Sequence, residues 1–264
     1  MKKRNQKIIL GLSLLFLTIV SFTTAILSEN DIIQTAESLE LPIHNSVLLV
    51  SNKSINPCIP SDTGDSCVLT EEGVVIQESS ASGMAIASEG GKTYILTANH
   101  FCQDSQVFEI QGLGINLDAS MWAVDIEGNM WETRIVFQEI ETDLCLISSN
   151  MGTVDTISLS ESDPAVGEKV YAIASPRGIG GKNISLHFEG KFSGCDITGN
   201  CFFTIPSTFG SSGGIILNAY NEIVGMIQMK PANFDSVSIG TRRESIVKFL
   251  ESFNQETGIN LLYY

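Results

Sequence analysis

The sequence predicts an all-β fold, either a barrel or a sandwich, that ends in one helix. From Val74 onwards, short apolar runs are separated by glycine and polar turns, which is typical of antiparallel β structure. The polar stretch 150–167 divides these runs into two sets and is expected to connect two halves of the fold. Between Arg242 and Gln255 apolar residues recur at helical spacing, so we expect a terminal helix that packs on the second half.

The first 28 residues have the arrangement of an export signal. Four basic residues lie within the first seven positions, and the uncharged, mostly apolar run 8–27 follows them. A run of about twenty such residues suits a signal peptide and is also just long enough to span a bilayer. We therefore expect residues 1–28 to be a cleaved signal peptide or an N-terminal membrane anchor. Either outcome leaves the rest of the chain outside the cytoplasm.

The charge of the chain excludes nucleic acid as an expected partner. Fifteen basic and thirty acidic residues give a net charge of −15, and 43% of the residues are hydrophobic, which is enough for a packed core. Residues 1–28 contain four of the fifteen basic residues and none of the thirty acidic ones, so the remainder carries a net charge of −19. Such a surface repels polyanions and favours solubility.

Residues 29–72 are expected to form a pro-region or an N-terminal extension. Residues 46–50 are apolar enough to be a first strand of the fold. The stretch 52–70 is rich in Asn, Ser, Pro, Asp and Gly and contains Cys58 and Cys67. This composition predicts a loop closed by a disulfide between those two cysteines.

Each apolar run beyond this extension is expected to be one strand. The first set comprises residues 74–77, 82–87, 94–97, 106–110, 121–126, 132–137 and 144–148. The second set comprises residues 169–174, 184–191, 201–205, 214–217, 223–228 and 236–240. The sequence Glu127-Gly-Asn129 is expected to form the hairpin turn between two strands of the first set.

A glycine-rich turn in the second set presents a candidate nucleophile, Ser212. It lies in Gly210-Ser-Ser-Gly-Gly214, where glycines permit unusual backbone angles and a close approach of substrate. The backbone N–H groups of Gly210 and Ser212 are candidates for the pair of donors that stabilises an oxyanion. A flexible linker or a simple turn is the alternative, but the apolar runs that flank the turn favour a packed sheet.

A serine nucleophile needs a base, and the chain has three histidines. His44 lies in an irregular stretch, and His187 alternates with apolar residues as a strand surface residue does. His100 ends the run 93–100, which is expected to be a strand rich in β-branched and aromatic residues, so we expect its ring at a strand end beside a cleft. Asp143 precedes another buried run and supplies the carboxylate that would orient this ring.

Four segments in this order resemble those of the trypsin-like (chymotrypsin-fold) serine peptidases. They are Ser82-Gly-Met-Ala-Ile-Ala87, Leu96-Thr-Ala-Asn-His100, Asp143-Leu-Cys-Leu-Ile147 and Gly210-Ser-Ser-Gly-Gly214. The resemblance covers residues 74–250 and is greatest to the compact bacterial and viral branch. It implies two six-stranded antiparallel β-barrels with a C-terminal α-helix. The first barrel, residues 73–150, would carry His100 and Asp143, and the second, residues 151–264, would carry Ser212.

Two departures from the family pattern concern regulation and disulfides. Ser211 replaces the aspartate that pairs with a newly cut N-terminus in the pancreatic enzymes, so that activation switch is absent. Phe101 stands where the family has a cysteine after the histidine, and Cys102 follows one residue later. Neither change removes a catalytic group.

The six cysteines all follow the export segment and form an even number, which supports disulfide formation. Local spacing suggests a second bridge between Cys195 and Cys201. In the resembled fold, Cys102 and Cys145 lie close enough either to bridge or to remain two buried thiols. No Cys-x-x-Cys or His-x-x-x-His spacing is present, so neither a metal nor another cofactor is expected.

The substrate pocket departs from that of trypsin, whose selectivity for Lys and Arg comes from an acidic residue six positions before the nucleophile. Here Pro206 occupies that position and Ser207 follows it, so trypsin-type selectivity is not expected. The resemblance places further substrate-binding positions at Phe209, Gln228, Met229 and Lys230. The cation of Lys230 leaves an acidic side chain open as an alternative, but small or uncharged side chains are favoured.

The sequence thus predicts an exported serine endopeptidase that acts on polypeptides through a His-Asp-Ser triad and an acyl-enzyme. Two alternatives remain open at this point. One is a non-catalytic exported binding module on a protease scaffold, because a fold does not dictate a function. The other is an esterase that uses the same triad. The oligomeric state is not indicated by the sequence.

Overall fold

The computed structural model describes residues 40–55, 58–60, 67–69, 74–105 and 117–263. The expected export segment 1–28 and the expected strand 106–110 lie outside these residues. Residues Leu41–Tyr264 form one compact unit. Within the described ranges, no helix is long and apolar enough to cross a membrane.

The described part of the chain contains fourteen strands and two α-helices. The strands are β1 (Ser46–Ile55), β2 (Cys58–Pro60), β3 (Cys67–Leu69), β4 (Val74–Glu89), β5 (Lys92–Ala98), β6 (Leu117–Val124), β7 (Met130–Glu139), β8 (Leu144–Ser149), β9 (Lys169–Ala174), β10 (Leu186–Cys195), β11 (Asn200–Phe203), β12 (Ile215–Leu217), β13 (Ile223–Met229) and β14 (Ser238–Arg242). The helices are α1 (Asn99–Asp104) and α2 (Arg243–Thr257).

Twelve of these strands close into two six-stranded barrels. The strand order is β1-β4-β5-β8-β7-β6 in the first barrel and β10-β11-β14-β13-β12-β9 in the second. All strand pairs in both barrels are antiparallel. The predicted fold class, two antiparallel barrels with a C-terminal helix, is therefore confirmed. Strands β2 and β3 form a separate two-stranded sheet.

Strands β5 and β8 are buried along their length, apart from Lys92, because they are covered on both faces. Alternate side chains of a strand point to opposite sides of the sheet. Ile95 and Ile147 belong to the core inside the first barrel. Their neighbours Leu96 and Leu146 belong to a larger core that also contains residues of the second barrel and of α2. The outward faces of these two strands therefore pack against the second barrel and α2.

Helix α2 contacts both barrels, whereas we expected it on the second one only. It buries Ile246, Phe249, Leu250 and Phe253, which confirms the predicted apolar face. The ring of Phe249 lies 5.0 Å from that of Phe137 in β7, and this contact joins the helix to the first barrel. The aromatic side chains are large enough to fill the space where the two barrels meet.

Strand boundaries differ from the predicted ones at the start of the first barrel. Residues 74–77 and 82–87, expected as two strands, belong to the single strand β4. Its polar middle residues 78–80 pair with β1 without interruption, so the strand continues through them. Strand β1 pairs with both β4 and β6 and closes the barrel. The first barrel therefore includes residues that precede position 73.

Two disulfides lie in the described part of the chain. Cys195 and Cys201 form the predicted bridge, which closes the β10–β11 hairpin. Cys102 and Cys145 are also bridged, which decides between the two alternatives that the sequence left open. Cys58 and Cys67 lie on the paired strands β2 and β3, but the predicted bridge between them concerns side chains outside the described part.

Candidate active site

The candidate base and its carboxylate are held together by backbone as well as side-chain contacts. His100 is the second residue of α1, directly after β5, and not the last residue of the strand. Its backbone N–H donates to Asp143 Oδ1 at 2.7 Å, and its ring Nδ1 lies 2.8 Å from Asp143 Oδ2. The Asp143 carbonyl in turn accepts the N–H of Asn99 at 3.0 Å. These contacts fix the ring against the carboxylate.

The Asp143 backbone is in the left-handed region, with φ 53°, which is unusual for a residue other than glycine. This conformation costs about 1–2 kcal/mol, so the surrounding structure must hold it. The N–H of Asp143 donates to the Ile140 carbonyl at 3.2 Å. The preceding carbonyl, that of Thr142, accepts hydrogen bonds from the Gln228 amide and from Thr241 Oγ1. The second barrel therefore helps to hold the turn that carries the carboxylate.

The pKa of His100 is raised above its ordinary value near 6.5. The largest cause is the hydrogen bond to Asp143, and the negative charges of Asp143 and Asp104 act in the same direction. Partial burial of the ring opposes them, because burial penalises the charged form. The ring consequently takes up a proton more readily than a free histidine does, which is the property a general base needs.

Ser212 and His100 line the same cavities in the cleft between the barrels. The Ser212 hydroxyl donates to the Gln228 carbonyl at 2.8 Å. A hydroxyl has one proton, so this proton is directed at Gln228 and not at the His100 ring among the groups that the structure describes. The neighbouring Ser211 is buried, and its Oγ accepts the N–H of Thr208 at 3.2 Å.

Glycine is required directly after Ser212. Gly213 has φ 85°, in the left-handed region, and a Cβ added there would lie 2.1 Å from the Ser82 carbonyl oxygen. Its own N–H donates to the Ile227 carbonyl at 2.8 Å. The turn thus sits tightly between a strand of the first barrel and a strand of the second. No other residue type fits this approach without displacing the backbone.

The two candidate oxyanion donors are oriented by contacts of their neighbours. The Phe209 carbonyl accepts the N–H of Arg177 at 2.7 Å. In a trans peptide the C=O and N–H groups point in opposite directions, so the Gly210 N–H points away from Arg177. Within the described ranges, neither this N–H nor that of Ser212 donates to another group of the protein. Both donors therefore remain available.

The predicted substrate-binding residues, with one exception, line a cavity of about 480 Å³ beside Ser212. The lining includes Ser207, Phe209, Gln228, Met229 and Lys230. Pro206 does not line it and is exposed, because backbone alternation directs its neighbours Ile205 and Ser207 inward. A contact between Pro206 and substrate therefore stays a prediction. The Lys230 ammonium forms an ion pair with Asp235, so its charge is compensated within the protein.

A second cavity, of about 410 Å³, is also lined by His100 and Ser212. Its lining includes Glu78, Arg177 and Gly210 together with His100 and Ser212. The guanidinium of Arg177 lies 5.6 Å from the centre of the Phe209 ring. Ser212 and His100 therefore border both cavities.

Sequence reasoning missed several residues that position this site. Gln228 was expected on the strand that receives the substrate backbone, and the bond from its side chain to the Thr142 carbonyl was not foreseen. Ser82 was part of a recognised strand opening and nothing more. Arg177 was not expected to contact the site. No signal in the sequence points to these contacts, because each joins segments that are far apart along the chain.

Comparison with known proteins identifies similar chains. The profile of the trypsin-like peptidase domain matches residues 81–226. A curated relative, the serine protease Do-like HtrA of Bacillus subtilis (strain 168), is 29% identical over 195 residues. That match covers 68% of this chain but 38% of the relative, so the chain spans well under half of its length.

A solved structure, the serine endoprotease from Yersinia pestis, is similar in fold. The TM-score is 0.58 at 18% sequence identity, and the match covers 81% of this chain and 65% of that one. At this level of identity the likeness concerns the fold alone, and it agrees with the two barrels described above.

Proposed function

The chain belongs to the trypsin-like peptidase family, and on that premise we propose that it is an exported serine endopeptidase. The residues proposed to carry the reaction are His100, Asp143 and Ser212. The observation that supports this most is that Asp143 makes two hydrogen bonds with His100. The pair lies in a cleft that Ser212 also lines. A structural histidine would not need a carboxylate aligned on its ring beside a half-buried serine.

In the proposed reaction, Ser212 attacks the carbonyl carbon of a peptide bond. Its hydroxyl first turns from the Gln228 carbonyl towards His100, whose Nε2 takes the proton. Asp143 holds Nδ1–H and stabilises the imidazolium that forms. The Gly210 and Ser212 N–H groups donate to the oxyanion. His100 then returns the proton to the leaving amine, and water hydrolyses the acyl-enzyme by the same steps.

The function is tested by active-site labelling of the full chain, purified under non-reducing conditions. We expect a fluorophosphonate probe to form an adduct that peptide mapping locates on Ser212. We also expect hydrolysis of both peptide and ester substrates. Hydrolysis of esters alone would favour the esterase alternative. A chain that neither labels nor cleaves would favour the non-catalytic binding module.

We expect cleavage after uncharged side chains. The cavity beside Ser212 is lined mainly by apolar groups, including Ile227, Met229 and Pro231, and the Lys230 charge is compensated by Asp235. A peptide-library profile measures this preference. As a matched variant, Asp235→Asn should raise relative cleavage after Asp and Glu several-fold, because it leaves the Lys230 ammonium uncompensated. A profile dominated by cleavage after Arg or Lys would show that the pocket is misplaced.

Export is supported by two features of the chain. The two disulfides of the described part are of a kind that persists in oxidising compartments and is rare in the cytosol. The basic and apolar segment 1–28 has the composition of a signal peptide or an anchor. We propose that the catalytic part acts outside the cytoplasm.

A further inference from the structure

Ser82 is a buried serine of the first barrel that contacts the nucleophile turn of the second. It lies in β4 and is 1% exposed. Its backbone N–H donates to the Ser212 carbonyl at 2.8 Å, and its Oγ donates to the Gly210 carbonyl at 2.7 Å. One residue thus holds the carbonyl groups of both residues whose N–H groups are the proposed oxyanion donors.

The turn 209–212 has all four carbonyl groups directed into the protein. Their partners, in chain order, are Arg177 N–H, Ser82 Oγ, Gly214 N–H and Ser82 N–H. Ser82 therefore supplies two of the four contacts. The Gly210 N–H shares its peptide group with the Phe209 carbonyl, and the Ser212 N–H shares its group with the Ser211 carbonyl, so these N–H groups point away from Arg177 and Gly214. The two carbonyls that Ser82 holds belong to the adjoining peptide groups 210–211 and 212–213, which flank the group that carries the Ser212 N–H. Rotation of either carbonyl that Ser82 holds would disturb this pattern.

The Ser82 hydroxyl also reaches the loop that holds the first of these carbonyls. Its Oγ accepts the N–H of Ser175 at 2.7 Å, so both its donor and an acceptor site are used. Ser175 directly precedes the short 3₁₀ turn Pro176–Gly178, in which Arg177 has φ 58°. A non-glycine residue in that region is strained and depends on its surroundings. The hydroxyl therefore connects the strained loop to the turn.

The strand that carries Ser82 is itself anchored at this point. Thr97 Oγ1 donates to the Ser82 carbonyl at 2.8 Å. With this contact every polar group of Ser82 is bonded, and none of them is left for water. A buried residue whose polar groups are all hydrogen-bonded rigidifies the segments that it contacts, here the turn 209–212 and the loop at Ser175.

We propose that Ser82 is a positioning residue that keeps the turn 209–212 in the conformation in which the Gly210 and Ser212 N–H groups are free to bind the oxyanion. This inference rests on the proposed function, since it concerns the oxyanion donors of that reaction. Ser82 contacts neither substrate nor the His100 ring in this role. It acts on the transition state through the orientation of two backbone N–H groups, so it should affect kcat rather than KM.

The test compares Ser82→Ala with the unmodified full chain and with Ser51→Ala. Ser51 is a matched control: it is 1% exposed in the same barrel, and its Oγ has no partner in the described part of the chain. Removing one oxyanion donor costs about 10² to 10³ in kcat, so loosening the turn should cost about 10- to 100-fold. We expect that loss at unchanged KM and unchanged acid limb of the pH profile. Ser51→Ala should keep the rate of the unmodified chain.

An unchanged kcat in folded Ser82→Ala would overturn the proposal, as would a matching rise in KM or a shift of the acid limb. If Ser82→Ala does not fold, the nearly isosteric Ser82→Cys decides: its thiol is a weak donor, so kcat should fall at constant KM, and an unchanged kcat would overturn the proposal. Absence of turnover in the unmodified chain would overturn the proposed function as well. If the unmodified chain is active and the Ser82 variants have the same kcat, only the role of Ser82 is overturned.

Discussion

Ser212→Ala is expected to abolish peptide hydrolysis and fluorophosphonate labelling together, with a loss in kcat on the order of 10⁶-fold. The reason is that, within the described residues, Ser212 is the hydroxyl residue that lines both of the cavities that His100 lines. Removal of a triad member leaves only about 10³ to 10⁴ over the uncatalysed rate, from oxyanion stabilisation and binding. Steady-state rates and intact-mass analysis of the probe adduct measure both effects.

Ser211→Ala is the matched control for this prediction. Ser211 is 1% exposed, and its hydroxyl accepts the Thr208 N–H inside the turn. Loss of this bond should lower the free energy of unfolding by about 1 kcal/mol while most of the activity remains. The opposite result, an inactive Ser211→Ala and an active Ser212→Ala, would show that the nucleophile is misassigned by one residue.

Asp143→Asn is expected to lower kcat by about 10⁴-fold and to move the acid limb of kcat/KM to lower pH. His100 acts as a base only when it is neutral, so activity rises as the pH increases through its pKa. In the unmodified chain that pKa is raised, chiefly by the hydrogen bond to Asp143. An amide carries no charge, and burial alone lowers the pKa of the ring, so the limb moves downward.

Asp104→Asn is expected to shift the pKa of His100 less than Asp143→Asn does. The charge of Asp104 is the smallest of the causes that raise the pKa of His100, so its removal should move the acid limb in the same direction by less. A pH profile that is unchanged in Asp143→Asn would show either that His100 is not the titrating base or that Asp143 is not its partner. Either result would contradict the triad.

Strands and the helix were largely predictable because their signals are local. The apolar run 144–148 predicts β8 almost to its bounds, Leu144–Ser149. Helix α2 follows from apolar residues that recur every three or four positions, and its buried residues are the expected ones. The boundaries of β4 were less predictable, since its polar middle is held by pairing with β1 and not by its own composition.

Of the candidate site, the sequence indicated the residue types and their order. Histidine at the end of an apolar run, aspartate before another and serine among glycines are patterns within a few residues. In the structure His100 makes two hydrogen bonds with Asp143, but the Ser212 hydroxyl donates to the Gln228 carbonyl. This choice of partner was not predictable, because it depends on where β13 lies relative to the turn.

By itself the sequence determined most of the barrel strands, the terminal helix and the glycine-rich turn, because alternation, helical spacing and glycine at positive φ are properties of short segments. Only the tertiary structure decided which distant groups meet. Ser82 and Gly210 are 128 residues apart, Gln228 and Thr142 are 86 apart, and the cysteines of the Cys102 and Cys145 bridge are 43 apart. The physical reason is that these contacts depend on the closure of each barrel and on the packing of the two barrels together, which no local pattern specifies.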